Sequence, residues 1–375
     1  MIPPIRSLLF TTALMLVPFV PAAPAEGRGT AAPDFEALLK IDAHSHMFED
    51  HPSFHVLFRR LNIRTINICV NVGDRHLDRI HEIAFGLYDR HPELYPFVST
   101  FELGSRDDPA YARKVIAWLD QTLARGAVGV KIWKEIGLVI RRPDGSFILS
   151  DDPLWDPIFA HLAAKRIVLQ AHLGEPLEAW LPLDKDSPHY FYFSRRKEYY
   201  FYGKREYPSH AAIIAARDRI MEKYPALAVV GAHLGSLEYD VAEIARRFDR
   251  YPNFFVDVSA RTRSLVRQPS GKVRAFFIQY QDRILYGLDH GWQPYFGRQP
   301  PSETQRDTHL NLIETYYRED YAYYAGTGEV SYQGRRVEAL NLPRAVLEKF
   351  YHQNAERVYR LKEAWGHQPA GAARP

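Results

Sequence analysis

A single-domain (β/α)8 barrel is the fold class that this sequence predicts, on three observations. Short apolar runs recur eight times and are apolar at both odd and even positions, the pattern of strands buried on both faces of a parallel sheet. Longer amphipathic segments of helical period separate them. Polar, proton-binding residues close several of the runs at the same relative depth, as at the C-terminal mouth of a barrel. An open doubly wound sheet is the rival, but no Gly-x-Gly-x-x-Gly follows the first run. With 375 residues, 46% of them hydrophobic and 25% charged, the chain can bury a large core.

The chain opens with "MIPPIRSLLFTTALMLVPFVPAAPAEG". Arg6 supplies a positive start, Leu8 to Val20 an apolar stretch, and Ala23 to Ala25 a small-x-small cleavage pattern. Residues 1–25 are therefore expected to be a secretory signal peptide, and the mature protein to be exported to a periplasm. The stretch falls short of the roughly 20 apolar residues that span a bilayer. No cysteine follows it, which argues against a lipoprotein, and no stable membrane insertion is expected elsewhere.

The runs that follow are "LLKIDAHSH", "RTINICVNV", "LYPFVSTFEL", "AVGVKIW", "RIVLQAHLG", "LAVVGAHLG", "NFFVDVSA" and "RILYGLDH". Helical segments between them have readable ends. "DDPAYARKVIAWLDQTLARG" starts acidic, with Pro109 near its first turn, and stops at Gly126. "DDPLWDPIFAHLAAKR" and "SLEYDVAEIARRFDRYP" follow the same grammar, the latter with Ser236 as expected N-cap. At "HPEL", "YPAL" and "YPNF" a proline forces the preceding residue out of helical geometry before the next strand. The barrel is expected over residues 35–362, with a long aromatic-rich insertion at about 176–208 and a disordered tail over 363–375. "YYAGTGEVSYQGRRVEAL" reads as a small hairpin before the last helix.

Charge and cysteine usage exclude several functions. Forty-eight basic against 45 acidic residues leave a net charge of +3, without the basic face that nucleic acids require. The lone cysteine, Cys69, lies in the apolar "INICVNV" and reads as a core thiol rather than a nucleophile.

Strand residues two apart point to the same side, so His44 and His46 should face the barrel axis together. His172 ends the fifth run, His233 the sixth and Asp289 the eighth, while Lys131 stands among apolar neighbours in the fourth. Each alone suits a strand-end polar group; at one depth in one barrel they point to a metal site. Gly129, Gly231 and Gly287 each precede such a residue by two, which would leave room beneath the cluster.

"DAHSH", "GVKIW", "LQAHLGEP", "GAHLGS", "YGLDH" and the last helix, "LPRAVLEKFYHQNAERVYRL", together resemble the amidohydrolase superfamily. Within it they resemble the amidohydrolase-related group of metal-dependent hydrolases and non-oxidative decarboxylases. The resemblance spans about Asp42 to Leu361. It implies that His44, His46 and His172 ligate a metal and that Asp289 completes its sphere and accepts a proton from the metal-bound water. His233 would be a second-metal ligand or the residue that polarises substrate and moves protons. In some branches the lysine at the place of Lys131 is carbamylated and bridges two metals; in others it keeps its charge. The ligand types suit zinc and tolerate manganese or iron, as one ion or two.

A metal lowers the pKa of bound water, and Asp289 beside it can take that proton and pass it to a leaving group. These parts suit hydrolysis of an ester, lactone or amide of a small carbonyl substrate. The alternative is a non-oxidative decarboxylase of a small carboxylic acid, and the remote one a metal-containing binding protein without catalysis. Arg261 and Arg263, in "SARTR", could hold a substrate carboxylate in a forked contact. Trp133, Glu175 and Trp292 stand after the fourth, fifth and eighth runs, where they could line a pocket. The insertion reads as a lid over the site or as a contact in a homo-oligomer.

Overall fold

Each of the eight predicted runs contributes a strand. These are β1 (Lys40–Met47), β2 (Ile63–Ile68), β3 (Phe97–Ser99), β4 (Ala127–Ile132), β5 (Val168–Ala171), β6 (Val229–Gly231), β7 (Phe254–Asp257) and β8 (Ile284–Leu285). The structure, a computed structural model, describes residues 34–74, 76–292 and 301–366. With β9 (His290–Trp292) the strands form one parallel sheet in the order β8-β7-β6-β5-β4-β3-β2-β1-β9. Ala43 N–H donates to Tyr286 O at 2.9 Å and Asp289 N–H to His44 O at 2.8 Å, stitching the end of the β8 segment to β1. The sheet thereby closes into a (β/α)8 barrel.

A helix follows each barrel strand: Pro52–Arg60, Leu77–Arg90, Tyr111–Ala124, Asp156–Lys165, His210–Lys223, Val241–Arg250, Ser270–Gln279 and Glu303–Ala325. The proline stops act as predicted. His91, Tyr224 and Tyr251, each before a proline, have φ of −141°, −124° and −117° and leave the helix. Gly126 has φ +103° and closes against the Tyr88 ring, where no side chain would fit. Ser236 is not the expected N-cap. It is left-handed (φ +58°), and the helix begins after Asp240, whose carboxylate accepts from Ala242 N–H at 2.8 Å. "SLEYD" offers two capping residues, and the left-handed turn that places His233 occupies the first.

The barrel floor is apolar. Ile41, Ile66, Val98, Val168, Phe255 and Leu285 cluster there with Ala355, Val358, Tyr359 and Leu361, which lie at the end of a late helical segment and just beyond it. That segment runs from Arg344 to Val358 with a π-helical turn at Lys349–Gln353. Leu361–Gly366 is also helical, and the remainder of the expected tail, residues 367–375, lies outside the described residues. The predicted hairpin forms from β10 (Glu329–Tyr332) and β11 (Arg335–Glu338). Gln333 and Gly334 turn it with φ of +47° and +77°, both left-handed as a two-residue turn requires.

The insertion contains the short turns Leu177–Trp180 and Lys197–Tyr199 and the helix Tyr190–Arg195. Its own contacts tie it together. Phe201 N–H donates to Ala179 O and Tyr200 Oη–H to Leu181 O, both at 2.8 Å, and Trp180 Nε1–H donates to Pro208 O at 3.0 Å. Cys69 is fully buried, and burial pushes its thiol up, which suits a core residue. The expected signal peptide lies outside the described residues; among those described, no helix is long and apolar enough to cross a membrane.

Candidate metal centre

The register of β1 is irregular between Asp42 and Ser45. Ile41 and Ala43 belong to the floor cluster, while His44, within the irregular stretch, and His46, beyond it, stand together near the mouth. Asp289 reaches them from the β8 end through a left-handed backbone (φ +64°). Its Oδ1 lies 3.4 Å from His46 Nε2 and 3.7 Å from His44 Nε2. Ligand atoms of His44, His46 and Asp289 all lie within 4.8 Å of one another, close enough to share one ion.

The second nitrogen of each imidazole is already committed. His46 Nδ1–H donates to Ile68 O at 2.9 Å, and His44 Nδ1–H to Asp257 Oδ2 at 3.0 Å. A carbonyl or carboxylate oxygen only accepts, so both rings carry Nδ1–H and leave the Nε2 lone pair toward Asp289. Asp257 is the hub. It also accepts from His233 N–H at 3.0 Å, Gln170 Nε2–H at 3.2 Å and Ser259 Oγ–H. Burial opposes its charge, but positive charge from nearby groups, Lys131 among them, and the hydrogen bond from His44 hold its carboxyl well below the usual range. His44, His233 and Asp257 also group within 4.8 Å, but this carboxylate is engaged by the donors just named.

His172 and His233 stack edge to face with ring centres 4.3 Å apart, and His233 lies 4.6 Å from His44. His172 Nε2 is buried without a hydrogen-bond partner among the described residues, an orphan that a metal would satisfy. His233, Leu234, Gly235 and Ser236 are all left-handed, an unfavourable run that its surroundings enforce. His233 Nδ1–H donates to Ser259 O at 2.8 Å, His210 Nε2–H to Ser236 O at 2.8 Å, and the buried Arg217 donates to Gly235 O. Burial, with neighbouring cations, keeps His44, His172 and His233 below the usual imidazole range, in the neutral form that binds metals. Burial likewise opposes ionisation of Asp289, whose carboxyl is pulled down only where the surrounding imidazoles carry positive charge.

Lys131 is fully buried with Nζ 3.4 Å from His44 Nε2, on the side of the ring that faces Asp289. Burial lowers its pKa to about 8, against the pull of Asp257 and Asp289. Of the predicted glycines, Gly287 lies beneath the cluster as expected, where an added Cβ would stand 3.1 Å from His44 Cβ and 3.3 Å from Ser259 Cβ. Gly231 does not. Its missing side chain admits Gly235 and the Phe254 ring, because the left-handed turn, not strand alternation, delivers His233.

The proposed pocket residues divide. Trp133 packs edge-on to both His172 and Tyr199. Glu175 is buried in an ion pair with Lys134, and Tyr192 of the insertion donates to Glu175 Oε1 at 3.3 Å while its hydroxyl oxygen accepts from Lys134 at 2.9 Å. Lys134 also stands 3.5 Å over the Tyr199 ring. The insertion thus reaches the residues beside His172. Arg261 is buried with Nε 3.3 Å from Glu238, and Arg263 is half-buried on the short helix Thr262–Leu265. Trp292 turns away from the cluster. Its register partner is Met47 of the outer core, its ring lies 4.6 Å from that of His309, and its indole N–H donates to Glu49. Gly291, not Trp292, is the register partner of His46.

Sequence reasoning missed Asp257, Ser259 and Gln170. Asp257 and Ser259 share a strand face with Phe255 in "NFFVDVSA", and the rule that found His172 applies to them. Asp42 was also passed over. It accepts from His44 N–H at 2.9 Å, Leu288 N–H at 3.1 Å and Tyr317 Oη–H at 2.6 Å, joining β1, the β8 end and the long helix.

The set of His44, His46 and Asp289 fits a divalent ion, with mixed nitrogen and oxygen ligands and fixed tautomers; His172, whose Nε2 is orphaned, lies beside this group rather than within it. At the C-terminal mouth of a (β/α)8 barrel, such a set could hold a metal ion. A sequence model of the amidohydrolase family matches residues 41–361, and the chain belongs to that family. Solved structures are similar to the chain. The 2,6-dihydroxybenzoate decarboxylase from Rhizobium is 14% identical over 87% of this chain and 99% of its own, with a TM-score of 0.50. A TIM-barrel protein from Bordetella bronchiseptica is 16% identical over 87% and 100%, with a TM-score of 0.48. The 4-oxalomesaconate hydratase from Rhodopseudomonas palustris is 12% identical over 87% and 97%, at 0.49. No curated protein matches the chain in sequence.

Proposed function

We propose that the protein is a metal-dependent hydrolase of a small ester, lactone or amide. The observation that carries this is the placement of Asp289: its carboxylate stands 3.4 Å from His46 Nε2 and 3.7 Å from His44 Nε2 and remains 29% exposed at the barrel mouth. A proton acceptor there serves a reaction that must deprotonate water. His44, His46, Asp289 and His172 would hold the metal, and zinc suits them best. When bound, the metal supplies a lowered water pKa and polarises a carbonyl.

The chain's own residues do the rest. Asp289 accepts a proton and returns it to the leaving group. His233, its Nδ1–H held by Ser259 O, keeps Nε2 for a hydrogen bond to substrate. Trp133, Lys134, Glu175 and the insertion's Tyr192 close the side beside His172 and limit water there. The expected signal sequence supports export to a periplasm.

Decarboxylation is the second reading. It is favoured by the buried cations Lys134 and Arg261 near His172, which suit a substrate carboxylate. Turnover of an ester, lactone, amide and carboxylic-acid panel in ¹⁸O-water separates the two. Label in a product carboxylate without CO2 supports hydrolysis; CO2 release without label replaces it with decarboxylation. Metal analysis addresses Lys131: two ions per chain lost on His44→Ala/His46→Ala support a carbamylated bridge, one ion lost a charged lysine.

A further inference from the structure

A second cluster of ligand-type residues lies between the insertion and the barrel rim. Glu178 and His189 come from the insertion, and Glu238 from the segment after the left-handed turn. Ligand atoms of the three lie within 4.8 Å of one another. Glu238 is fully buried, and neither of its carboxylate oxygens has a hydrogen-bond partner among the described residues. Glu178 Oε2 is buried and orphaned in the same way. His189, also buried, places Nε2 3.6 Å from Glu238 Oε1 and 3.4 Å from Ser264 Oγ. Arg261 Nε stands 3.3 Å from Glu238 Oε1 but off the hydrogen-bond line, so it offsets charge without satisfying the oxygens.

Buried carboxylate oxygens without donors demand a compensating partner. Two carboxylates and an imidazole converging from separate segments form a nitrogen–oxygen set suited to zinc or manganese. We propose that Glu178, His189 and Glu238 bind a divalent cation separate from the catalytic centre, which clasps the insertion to the rim. It shares no ligand with His44, His46, His172 or Asp289. Arg261 then stands between the two sites, fixed by the same carboxylate that the cation holds.

The test counts zinc. Full-length protein is stripped with chelator, reloaded with Zn²⁺, desalted and analysed for metal per chain. The comparison uses wild type, His44→Ala/His46→Ala, and that variant with Glu238→Gln. The double variant is expected to keep one zinc per chain and the triple variant to lose it. His189→Gln in the same background replaces Glu238→Gln if the latter does not fold, which circular dichroism reports. Zinc absent from a folded double variant overturns the proposal. So does zinc that survives both Glu238→Gln and His189→Gln, because it then sits elsewhere. Neither outcome touches the proposed reaction, which the ¹⁸O experiment reads independently.

Discussion

Asp257→Asn should weaken the metal centre without touching a ligand. In the native site one carboxylate oxygen accepts from His233 N–H at 3.0 Å, Ser259 N–H at 3.2 Å and Ser259 Oγ–H. The other accepts from His44 Nδ1–H at 3.0 Å and Gln170 Nε2–H at 3.2 Å. An amide can present oxygen to only one group. If it faces the three donors near Ser259, its NH2 opposes His44 Nδ1–H. The ring then moves its proton to Nε2 and loses the lone pair that a metal needs. Changing a group that orients a ligand lowers metal affinity about 10- to 100-fold, or ~1.4–2.7 kcal/mol. The opposed donors cost stability as well, roughly 1–3 kcal/mol. Zinc competition against a chelating dye measures the first and urea denaturation the second. Affinity within twofold of wild type would refute the argument that Asp257 sets the His44 tautomer.

Other perturbations have equally definite outcomes. Gly287→Ala places a Cβ 3.1 Å from His44 Cβ and should destabilise by about 1–3 kcal/mol in urea, with metal affinity falling as well. Lys134→Met leaves Glu175 buried and unpaired and should cost about 3–5 kcal/mol; Lys134→Met/Glu175→Leu should recover most of it. Tyr192→Phe removes a hydroxyl bonded to both, and should cost about 0.5–1.5 kcal/mol and raise KM more than it lowers kcat. Asp320, in the long helix, is held up to about 7 by burial, against hydrogen bonds from Thr262, Tyr286 and Tyr332 and with Glu319 adding to the rise. Its protonated form is favoured in the fold, so that stabilisation is complete below an unfolded pKa near 3.9 and lost as pH rises through about 7. The decline, on the order of a few kcal/mol in urea midpoints converted to free energy, should be absent in Asp320→Asn.

The barrel was legible because its signals are local. Apolar runs, the prolines at 92, 225 and 252, and Gly126 act over a few residues, and all operate as written. His44, His46 and Asp289 were legible because strand ends converge once a barrel closes. Asp257 was hidden: a lone acid in an apolar strand is named a hub only by donors from β1, β5 and the β6 turn, distant in sequence. The backbone irregularities were hidden too. The left-handed run from His233 to Ser236 displaces both the Ser236 cap and the strand alternation on which the Gly231 expectation rested, and the β9 register pairs Trp292 with Met47 rather than with His46. Each is held by tertiary hydrogen bonds, which local pattern does not encode.

The apolar floor has a consequence for the order in which the molecule can be completed. Ala355, Val358, Tyr359 and Leu361 seal the base on which the β1 strand stands, yet they are synthesised long after it. A nascent chain that has already made His44, His46 and Asp289 still lacks the stopper beneath them. The geometry around His44, His46 and Asp289 therefore rests on a floor that is complete only once nearly the whole polypeptide has been made.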